Sequence, residues 1–475
     1  METTIVAVEL GSSKISGVAG HVNDDGSLAV QAYAWTPAES CIRHGAVYNL
    51  DRTANAIATV ISRLDGVLDS RVKKVFIGYN ARTLRTVPGS VERKFESETV
   101  IDEKTVVEMN EADEVFSRED LVTLTHDALE YAIDGRQGTE TDPIGVACRN
   151  IRCNYMNVVI SRPIAEFMAQ CFKQAEIQIL DGFASPLAQA QLALTEEDRQ
   201  QGCALVDYGA DTVTVSVYRN GLLRYLRVIP LGSALITRDL AAILGIERDS
   251  AELLKMKYGL CNMTKTVDTQ QTISLAGKQH TIEEIGDIIG ARNEEIVRNV
   301  IARIEDSGYA DKLGAGVVIT GGGSRLDGLK QVFSALLPKD TQIRFATEPV
   351  VSVEWAEPVW NKGDGSQMGL LAVMAMGYDN CCEDVPEQPA IMDEIEQIAP
   401  DRFKEMGMQG LFTPDGENAQ AERDREEQEQ ARQRRELEQQ NRAAEQAEDQ
   451  PKKRSRFMDL FMRVLETGES YLEGK

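Results

Sequence analysis

Residues 4–19, TIVAVELGSSKISGVA, combine an apolar strand, a glycine turn and a second apolar strand. Residues 203–218, CALVDYGADTVTVSVY, repeat this pattern in the second half of the chain, with Asp207 just before the turn. Short apolar runs joined by a glycine turn are typical of β-hairpins. Two such hairpins at matching places indicate an internal duplication. We therefore predict an α/β fold in which two related domains face each other across a cleft.

The composition favours a multi-domain protein that does not bind nucleic acid. The 475 residues exceed the size of one ordinary hydrophobic core. A net charge of -25 opposes binding to a phosphate backbone, and 6% aromatic residues offer few stacking platforms. The eight cysteines follow no CxxC pattern and the four histidines lie far apart. We therefore expect reduced thiols and no metal held by protein ligands alone.

The amino terminus reads as a strand and a turn, without the basic region and long apolar stretch of a secretion signal. The best apolar run, residues 369–377, is far shorter than the roughly 20 residues that a membrane-spanning helix needs. We therefore expect a cytoplasmic chain whose contact with any membrane is peripheral.

Helical and mixed patterns fill the space between the hairpins. Apolar residues recur with helical spacing over 52–68, and residues 162–174 and 186–194 also predict helices, the last with Pro186 in its first turn. Residues 92–160 are acidic and mix short helical and strand patterns, with a loop at 135–143 and a strand near 154–160. We interpret this section as a small inserted subdomain.

Three glycine-rich turns follow predicted strands and are candidate phosphate sites, at residues 11–14, 209–212 and 321–325. Glycine has no Cβ, so it lets backbone N–H groups approach a phosphate closely. Each turn alone is more often a plain connection, but the three together favour a nucleotide site. None of them matches the P-loop or the dinucleotide fingerprint.

The motifs resemble the actin, sugar-kinase and heat-shock chaperone superfamily of ATP-binding proteins. AVELGSSKISGVAG resembles its first phosphate motif, ALVDYGADTVTVSVY its second and VVITGGGSRLDGL its adenosine motif. AELLKMKYG, residues 251–259, is similar to a segment that contacts adenosine through Glu and Lys. Without the resemblance, Glu252 and Lys255 are an i,i+3 pair on a solvated helix. The resemblance implies ATP and Mg²⁺ as cofactors, with a nucleotide site of Gly11, Ser12, Ser13, Lys14, Asp207, Gly209, Thr212, Glu252, Lys255, Gly321, Gly322, Gly323, Ser324 and Arg325.

Within this superfamily the chain resembles the FtsA family of bacterial cell-division proteins. Residues 220–246 are similar to FtsA after the second phosphate motif, and an insertion at about 85–160 lies where FtsA carries subdomain 1C. The resemblance implies an actin-like fold with subdomain 1A at 1–84 and 163–195, an inserted α+β subdomain 1C at 85–162, subdomain 2A at 196–232 and 314–380, subdomain 2B at 233–313, a flexible charged linker at 381–451 and a membrane-targeting amphipathic helix at 452–475.

Several positions depart from the superfamily pattern. Glu9 stands where many relatives have a magnesium-coordinating aspartate, and the second motif has Ala210 and Thr214 where glycine and aspartate are usual. Ser185 stands where hydrolysing relatives place an acid or amide near the attacking water. The resemblance does not identify the catalytic residues. It implies only that Glu9 and Asp207 are candidate acids beside magnesium. Because hydrolysis needs a positioned water, we expect ATP binding with weak or absent hydrolysis.

The carboxyl-terminal segment predicts an amphipathic helix that lies on a membrane. Five large apolar residues after residue 456 recur at i, i+3, i+4, i+7 and i+8 in a locally basic stretch. Residues 419–449 are almost entirely Glu, Gln, Arg and Ala, which indicates a disordered or helical spacer. Docking on the core or dimerisation is the alternative, but a docking helix has little need for a spacer. The predicted lipid-binding residues are Lys452, Lys453, Arg454, Arg456, Phe457, Met458, Leu460, Phe461, Val464 and Leu465.

The resemblance also implies partners. FtsA-like proteins polymerise and bind the carboxyl-terminal peptide of FtsZ on subdomain 2B. We therefore expect filaments, FtsZ binding, recruitment of later division proteins, and a location on the inner face of the cell membrane at the septum.

A predicted helix at 293–304 carries the candidate residues for this peptide. Arg292 lies just before it, and Arg298 and Arg303 lie on it. An arginine fork suits a peptide carboxylate, although Arg298 and Arg303 equally fit a solvated helix surface. A soluble sugar kinase or exopolyphosphatase, or an actin-like pilus-assembly protein, shares the phosphate motifs and is the alternative function.

Overall fold

The structure is a computed structural model that describes residues 3–38, 40–112, 118–135, 142–260 and 268–383. The strands, numbered along the chain, are β1 (Ile5–Leu10), β2 (Lys14–Val22), β3 (Leu28–Pro37), β4 (Ile42–Arg43), β5 (Ala46–Val47), β6 (Arg71–Val72), β7 (Lys74–Tyr79), β8 (Arg85–Val100), β9 (Leu121–Ile133), β10 (Ala147–Ser161), β11 (Gln178–Ala184), β12 (Cys203–Tyr208), β13 (Val213–Arg219), β14 (Leu222–Ile229), β15 (Thr272–Leu275), β16 (Lys278–Thr281), β17 (Gly316–Thr320), β18 (Ile343–Phe345), β19 (Val353–Trp355) and β20 (Cys382–Glu383).

The α-helices of the described residues are α1 (Leu50–Leu68), α2 (Glu103–Glu111), α3 (Arg162–Gln174), α4 (Ser185–Ala193), α5 (Glu196–Gln201), α6 (Ser233–Leu244), α7 (Arg248–Tyr258), α8 (Ile282–Asp306), α9 (Leu329–Leu336) and α10 (Met368–Ala375). The predicted linker from residue 384 onward and every predicted lipid-binding residue lie outside the described residues. Within the described part of the chain, no helix combines the length and apolar character needed to cross a bilayer.

The strand order repeats between two large mixed sheets. The first sheet runs β11-β7-β1-β2-β3-β19, and the second begins β18-β17-β12-β13-β14. In each sheet an antiparallel meander, β1-β2-β3 or β12-β13-β14, continues beyond its first strand into two parallel strands. This shared order confirms the predicted α/β fold with two related halves. Both hairpins form at the predicted residues.

The central strands of the two halves match in their burial as well. Strand β1 is buried at every position except Glu9, and β12 is buried at every position except Asp207. Such strands read as continuous apolar runs because they lie inside a sheet that is covered on both faces. Glu9 and Asp207 occupy the same place in their strands, immediately before the last residue. Each half therefore contributes one partly accessible carboxylate at the end of its central strand.

The inserted subdomain differs from the short elements predicted for residues 92–160. It consists of three long strands, β8, β9 and β10, with helix α2 between β8 and β9. These strands extend the second sheet in the order β14-β8-β10-β9, and β8 meets β14 through Arg85 and Arg227. Pro88 and Gly89 inside β8 weaken the strand signal in the sequence. Pairing along β10 nevertheless holds β8 in a strand.

The helix predicted at 293–304 begins eleven residues earlier than the sequence analysis placed it. Helix α8 starts at Ile282, where the Thr281 side chain accepts from the Glu284 N–H and the Glu284 carboxylate accepts from the Thr281 N–H. This reciprocal capping box is a sequence signature of helix starts, and it was visible as Thr281 followed three residues later by Glu284. The correction moves Arg292 from the residue before the helix to the middle of it.

A buried polar pair links the second sheet to helix α8. The Tyr208 hydroxyl donates to Asn293 Oδ1 at 2.7 Å, and both residues are fully buried. Around them lies an apolar cluster that includes Val206, Ile289 and Ile296. In the described residues the Asn293 Nδ2 group has no hydrogen-bond partner. The tyrosine hydroxyl is thus the hydrogen-bond partner of the Asn293 amide oxygen.

Replacement of Tyr208 by phenylalanine is expected to destabilise the fold by about 1–3 kcal/mol, because it leaves the whole Asn293 amide unpaired in an apolar core. Urea unfolding of the two proteins measures the difference. The double variant Y208F/N293L removes both polar groups, and we expect it to regain part of the lost stability. A double variant that is less stable than Y208F would contradict this explanation.

Candidate functional site

A deep cleft of about 460 Å³ is lined by both halves of the fold. Both hairpin turns, the glycine loop after β17 and helix α7 reach it. Every predicted nucleotide residue except Ser324 lines this cleft, and so does Glu9. The structure therefore brings together residues that lie more than 300 positions apart in the sequence, such as Gly11 and Arg325.

The two hairpin turns have the same close backbone geometry. A Cβ atom at Gly11 would lie 2.8 Å from the Lys14 carbonyl oxygen, and one at Gly209 would lie 2.7 Å from the Thr212 carbonyl oxygen. Real Cβ atoms essentially never approach a backbone oxygen so closely, so both turns require glycine. These matching turns offer backbone N–H groups to the cleft from opposite sides, which suits a chain of phosphates.

The glycine loop after β17 packs directly on the end of β12. Gly321 has φ +87°, and a Cβ there would lie 2.3 Å from Asp207 Oδ1. The Ser324 hydroxyl donates to the Gly321 carbonyl oxygen at 2.6 Å and is buried. Ser324 therefore holds the loop in shape without facing the cleft. Arg325 does line the cleft and forms an ion pair with Asp364 at 3.1 Å.

Two carboxylates at the floor of the cleft are held in an environment poor in water. Burial, with a further contribution from the negative charge of Asp207, raises the pKa of Glu9 to about 7, although Lys14 opposes the shift. Burial also raises the pKa of Asp207 to about 6, against hydrogen bonds from Gln189 and Asn80 that favour its charged form. Two acids whose charged forms are disfavoured by burial, one of them also by its neighbour's charge, favour a nearby cation.

The carboxylate oxygens in this part of the cleft suit Mg²⁺ that is bound to the phosphates of a nucleotide. Magnesium prefers oxygen ligands and usually binds through one or two carboxylates, water and substrate phosphates. Glu9 and Asp207 supply the carboxylates. No group of three or more His, Cys, Asp and Glu side chains suited to a metal occurs in the described parts of the chain. The cleft therefore suits Mg²⁺ together with a nucleotide better than a metal caged by the protein.

The charge on Glu9 should make the nucleotide-free protein less stable at alkaline pH. The pKa of Glu9 in the folded protein, about 7, lies above its ordinary value of 4.5. Between these two pH values the folded state keeps a proton that the unfolded state releases. Stability therefore falls as the pH rises from about 4.5 to 7. We expect Glu9→Gln to raise the unfolding free energy by about 2 kcal/mol near pH 8, after allowance for screening by cleft water.

Thermal unfolding at a series of pH values, without nucleotide, measures this effect. The exposed Glu354 on β19 of the same sheet provides a matched control, because Glu354→Gln changes the same group outside the cleft. Near pH 4 the Glu9→Gln and parent proteins should unfold alike. A constant difference between them at all pH values would contradict the explanation.

Helix α7 lines the cleft with an ion pair in which Lys255 is buried and Glu252 is half exposed. Lys255 is 8% exposed, and its Nζ donates to Glu252 Oε2 at 2.8 Å and to Thr237 Oγ1 at 3.0 Å. Burial lowers the pKa of Lys255, against the Glu252 carboxylate. This pair is therefore not the solvated surface pair that the sequence alone suggested. Gly322, Gly323 and Arg325 face it across a small recess.

Several cleft residues were missed by the sequence analysis, above all Asn80 and Gln189. Asn80, just after β7, donates from Nδ2 to Asp207 Oδ2 at 3.3 Å. Gln189 is 3% exposed and lines the cleft from helix α4. Ser185, the position where hydrolysing relatives place an acid or amide, is buried and does not line the cleft. The signal was a glutamine one helical turn after Ser185 in a helix whose other residues are apolar apart from the exposed Gln191.

The three arginines predicted for a peptide carboxylate do not converge on one point. Arg292 is bound by Asp239 and Glu295, and the hydrogen bond that Arg292 donates to Asp239 raises the pKa of Arg292 further. Arg298 pairs with Glu294, and Arg303 pairs with Asp306. Eleven residues of helix separate Arg292 from Arg303, which is about 16 Å. The structure thus presents three separate ion pairs along α8.

Known families match two overlapping parts of the chain. The model of the cell division protein FtsA matches residues 204–360, and the model of the type IV pilus assembly protein PilM matches residues 7–267, more than half of the chain. FtsA of Pseudomonas aeruginosa is 24% identical over 403 residues, which cover 82% of this chain and 95% of that protein. FtsA of Neisseria meningitidis serogroup B is 27% identical over 333 residues, which cover 68% and 80% of the two chains.

Solved structures agree on the fold. A chain of the PilM-PilN type IV pilus biogenesis complex matches with a TM-score of 0.55 and 15% identity, covering 78% of this chain and 97% of that one. The actin-like architecture and the resemblance to FtsA are both confirmed. The chain belongs to the family whose model is described as the type IV pilus assembly protein PilM, which matches more than half of it, and it is FtsA-like in sequence over most of its length.

Proposed function

We propose that the chain is an actin-like cell-division protein that binds Mg·ATP in the cleft and links FtsZ filaments to the cytoplasmic membrane. The observation that supports this proposal most strongly is the set of residues that lines the cleft. Two equivalent hairpin turns, a glycine loop, two carboxylates and a Glu–Lys ion pair with a buried lysine surround one cavity. The names of the relatives, cell division protein FtsA, support the cellular role.

Each part of the cleft has a role in this proposal. The turns at Gly11 and Gly209 bind phosphates through backbone N–H groups, and Lys14 adds positive charge. Glu252 and Lys255 bind the adenosine end, with the loop at Gly321 on its other side. Magnesium would be held beside Glu9 and Asp207 and would neutralise phosphate charge. Because both halves contribute to the site, a bound nucleotide favours closure of the cleft.

Titration calorimetry of the full chain tests nucleotide binding. We expect heat of binding for ATP in the presence of Mg²⁺, and weaker binding when EDTA removes the metal, because the two carboxylates then repel the phosphates. Equal affinity with and without Mg²⁺ would contradict the assigned role of Glu9 and Asp207. No binding under either condition would contradict the nucleotide site.

The proposed membrane and filament roles are supported by the carboxyl-terminal part of the sequence and by the resemblance to FtsA. We propose that residues 452–475 bind anionic lipid, that residues 381–451 act as the spacer, and that cores polymerise through actin-like contacts. Polymerisation lets several weak membrane helices act together, which prolongs residence on the membrane. Subdomain 2B, residues 233–313, is the proposed site of the FtsZ peptide. Later division proteins are proposed to bind the inserted subdomain.

The ion pairs on α8 are compatible with this peptide site. Arg292 and Arg298 hold carboxylates at partly exposed positions, and such pairs contribute only about 0–1 kcal/mol. A peptide carboxylate can therefore replace an internal partner at little cost. Each arginine would act as a separate contact along the helix.

A pilus-assembly role is the second candidate function, because the PilM model covers residues 7–267. The two candidates differ in the partner. A peptide from the carboxyl terminus of FtsZ should bind the chain if the first proposal holds. A failure of that peptide to bind, together with saturable binding of a PilN protein, the partner named in the solved PilM complex, would favour the pilus role.

A further inference from the structure

Hydrogen bonds join the two halves of the fold directly, at the floor of the cleft. Asn80 follows β7 in the first half, and its side chain lies between two residues of the second-half hairpin. The Asn80 Nδ2 group donates to Asp207 Oδ2 at 3.3 Å, and the Thr214 hydroxyl donates to Asn80 Oδ1 at 3.1 Å. Beside them, the His44 backbone N–H donates to Asp211 Oδ2 at 3.2 Å. We call these three bonds the clasp.

Both ends of the clasp are held by regular structure. The β4–β5 hairpin packs directly on the Asn80 backbone, since a Cβ at Gly45 in its turn would lie 2.4 Å from the Asn80 carbonyl oxygen. In the second half, Thr214 lies on β13 opposite Asp207 on β12 and is 1% exposed. The clasp therefore connects two rigid parts of the fold, so that breaking it frees the halves to move apart.

The residue at position 214 is one of the departures from the superfamily pattern, which usually has aspartate there. An ionised aspartate only accepts hydrogen bonds, and it would place a second negative charge beside Asp207. The threonine hydroxyl instead supplies the donor that Asn80 Oδ1 accepts. This departure thus allows one amide to use both its donor and its acceptor on the second half.

We propose that the clasp holds the two halves together before any nucleotide arrives, so that ATP enters a cleft already close to its bound shape. A protein whose binding-competent state is fully populated loses no affinity to a prior closing step. Asn80 is then a positioning residue that acts through Asp207 and Thr214. The consequence for ATP affinity rests on the proposed binding of Mg·ATP, whereas closure of the nucleotide-free chain does not.

The distance between two spin labels on the full chain tests the closure. Arg52→Cys places one label at the start of α1 in the first half, and Leu253→Cys places the other on α7 in the second half, both at exposed positions. Cys261 and Cys382 are replaced by serine, because the other cysteines are buried. Without nucleotide we expect one narrow distance distribution that Mg·ATP leaves unchanged. Asn80→Ala should give a broader distribution, and Mg·ATP should restore the narrow one.

Three further variants separate the clasp from a general loss of packing. Asn23→Ala removes an asparagine hydrogen bond, from Nδ2 to Ser27 Oγ at 2.8 Å, that lies within the first half. It should leave the distance distribution unchanged. Thr214→Val removes the donor to Asn80 and should broaden the distribution, while Thr214→Ser keeps the hydroxyl and should behave like the parent. Thr214→Val also replaces Asn80→Ala as the test if that variant does not fold.

Titration calorimetry measures the consequence for binding. Asn80→Ala and Thr214→Val should each weaken Mg·ATP binding by at least about five-fold, because part of the binding free energy then closes the cleft. Asn23→Ala and Thr214→Ser should bind Mg·ATP within about two-fold of the parent, since both keep the clasp.

A narrow, unchanged distribution in both Asn80→Ala and Thr214→Val would overturn the inference. A parent chain whose distribution is broad without nucleotide and narrows with Mg·ATP would overturn it as well, because the halves would then be held by the nucleotide. A parent chain that binds no ATP would overturn the proposed function, while the comparison of the nucleotide-free proteins would still decide whether the clasp closes the cleft.

Discussion

A chain that ends at Gln450 is expected to lose its binding to anionic vesicles almost completely. The deleted segment carries the apolar stripe from Phe457 to Leu465 and five basic residues. Partial burial of five large apolar side chains contributes on the order of 5 kcal/mol. Basic residues near an anionic leaflet add about 1 kcal/mol each before screening. Co-sedimentation with phosphatidylglycerol vesicles should therefore show a loss of at least about a hundred-fold in partition.

Single substitutions distinguish the effect of the apolar stripe from the effect of shortening the chain. Phe461→Asp places a charge in the centre of the apolar stripe and should lower vesicle binding strongly. Leu437→Asp makes a comparable change at the one large apolar residue of the charged spacer at 419–449 and should leave binding intact. Equal pelleting of the full and shortened chains would show that the membrane contact lies elsewhere.

Gly321→Ala is expected to weaken ATP binding by at least about ten-fold, because the added Cβ would lie 2.3 Å from Asp207 Oδ1 and 2.8 Å from the Tyr208 carbonyl oxygen. The loop must move away from β12 to relieve these contacts. That movement changes the wall of the cleft beside Asp207 and the adenosine end. Titration calorimetry with Mg·ATP measures the loss.

Gly245 gives a control for alanine at a positive φ without a steric contact. It ends helix α6 with φ +66° and ψ 38°, whereas Gly321 has φ +87° and ψ 161°, and a Cβ at Gly245 would meet nothing within 4 Å. Gly245→Ala should therefore cost about 1 kcal/mol of stability and leave ATP affinity unchanged. If both variants bind ATP equally well, the glycine loop does not shape the nucleotide site.

The duplicated hairpins were the part of the fold that the sequence predicted best. Central strands such as β1 and β12 are apolar at nearly every position, and their glycine turns are local signals. The inserted subdomain was harder, because β8 alternates charged and apolar residues and contains Pro88. Its long strands depend on pairing with β10, which lies about 60 residues further along the chain and leaves no local signal.

The residues of the cleft also divide into those with a local signal in the sequence and those without one. Glycine turns and the Glu252–Lys255 spacing could be read locally, and the structure brings them to one cavity. Gln189 could not be ranked above Ser185, because the two residues lie on the same face of α4 one turn apart, and only the packed position of the helix along its axis decides which of them lines the cleft. The ion pairs of the α8 arginines could not be predicted for a similar reason. Their ion pairs with Asp239, Glu294 and Asp306 depend on helix register.

The most direct test of the proposed function is a three-component sedimentation of FtsZ filaments, anionic vesicles and this chain with Mg·ATP. We predict that FtsZ pellets with the vesicles when the full chain is present, and stays in the supernatant when the chain ends at Gln450 or is left out. FtsZ that pellets equally with the shortened chain, or that stays in solution although the full chain binds the vesicles, would contradict the proposed link between filament and membrane.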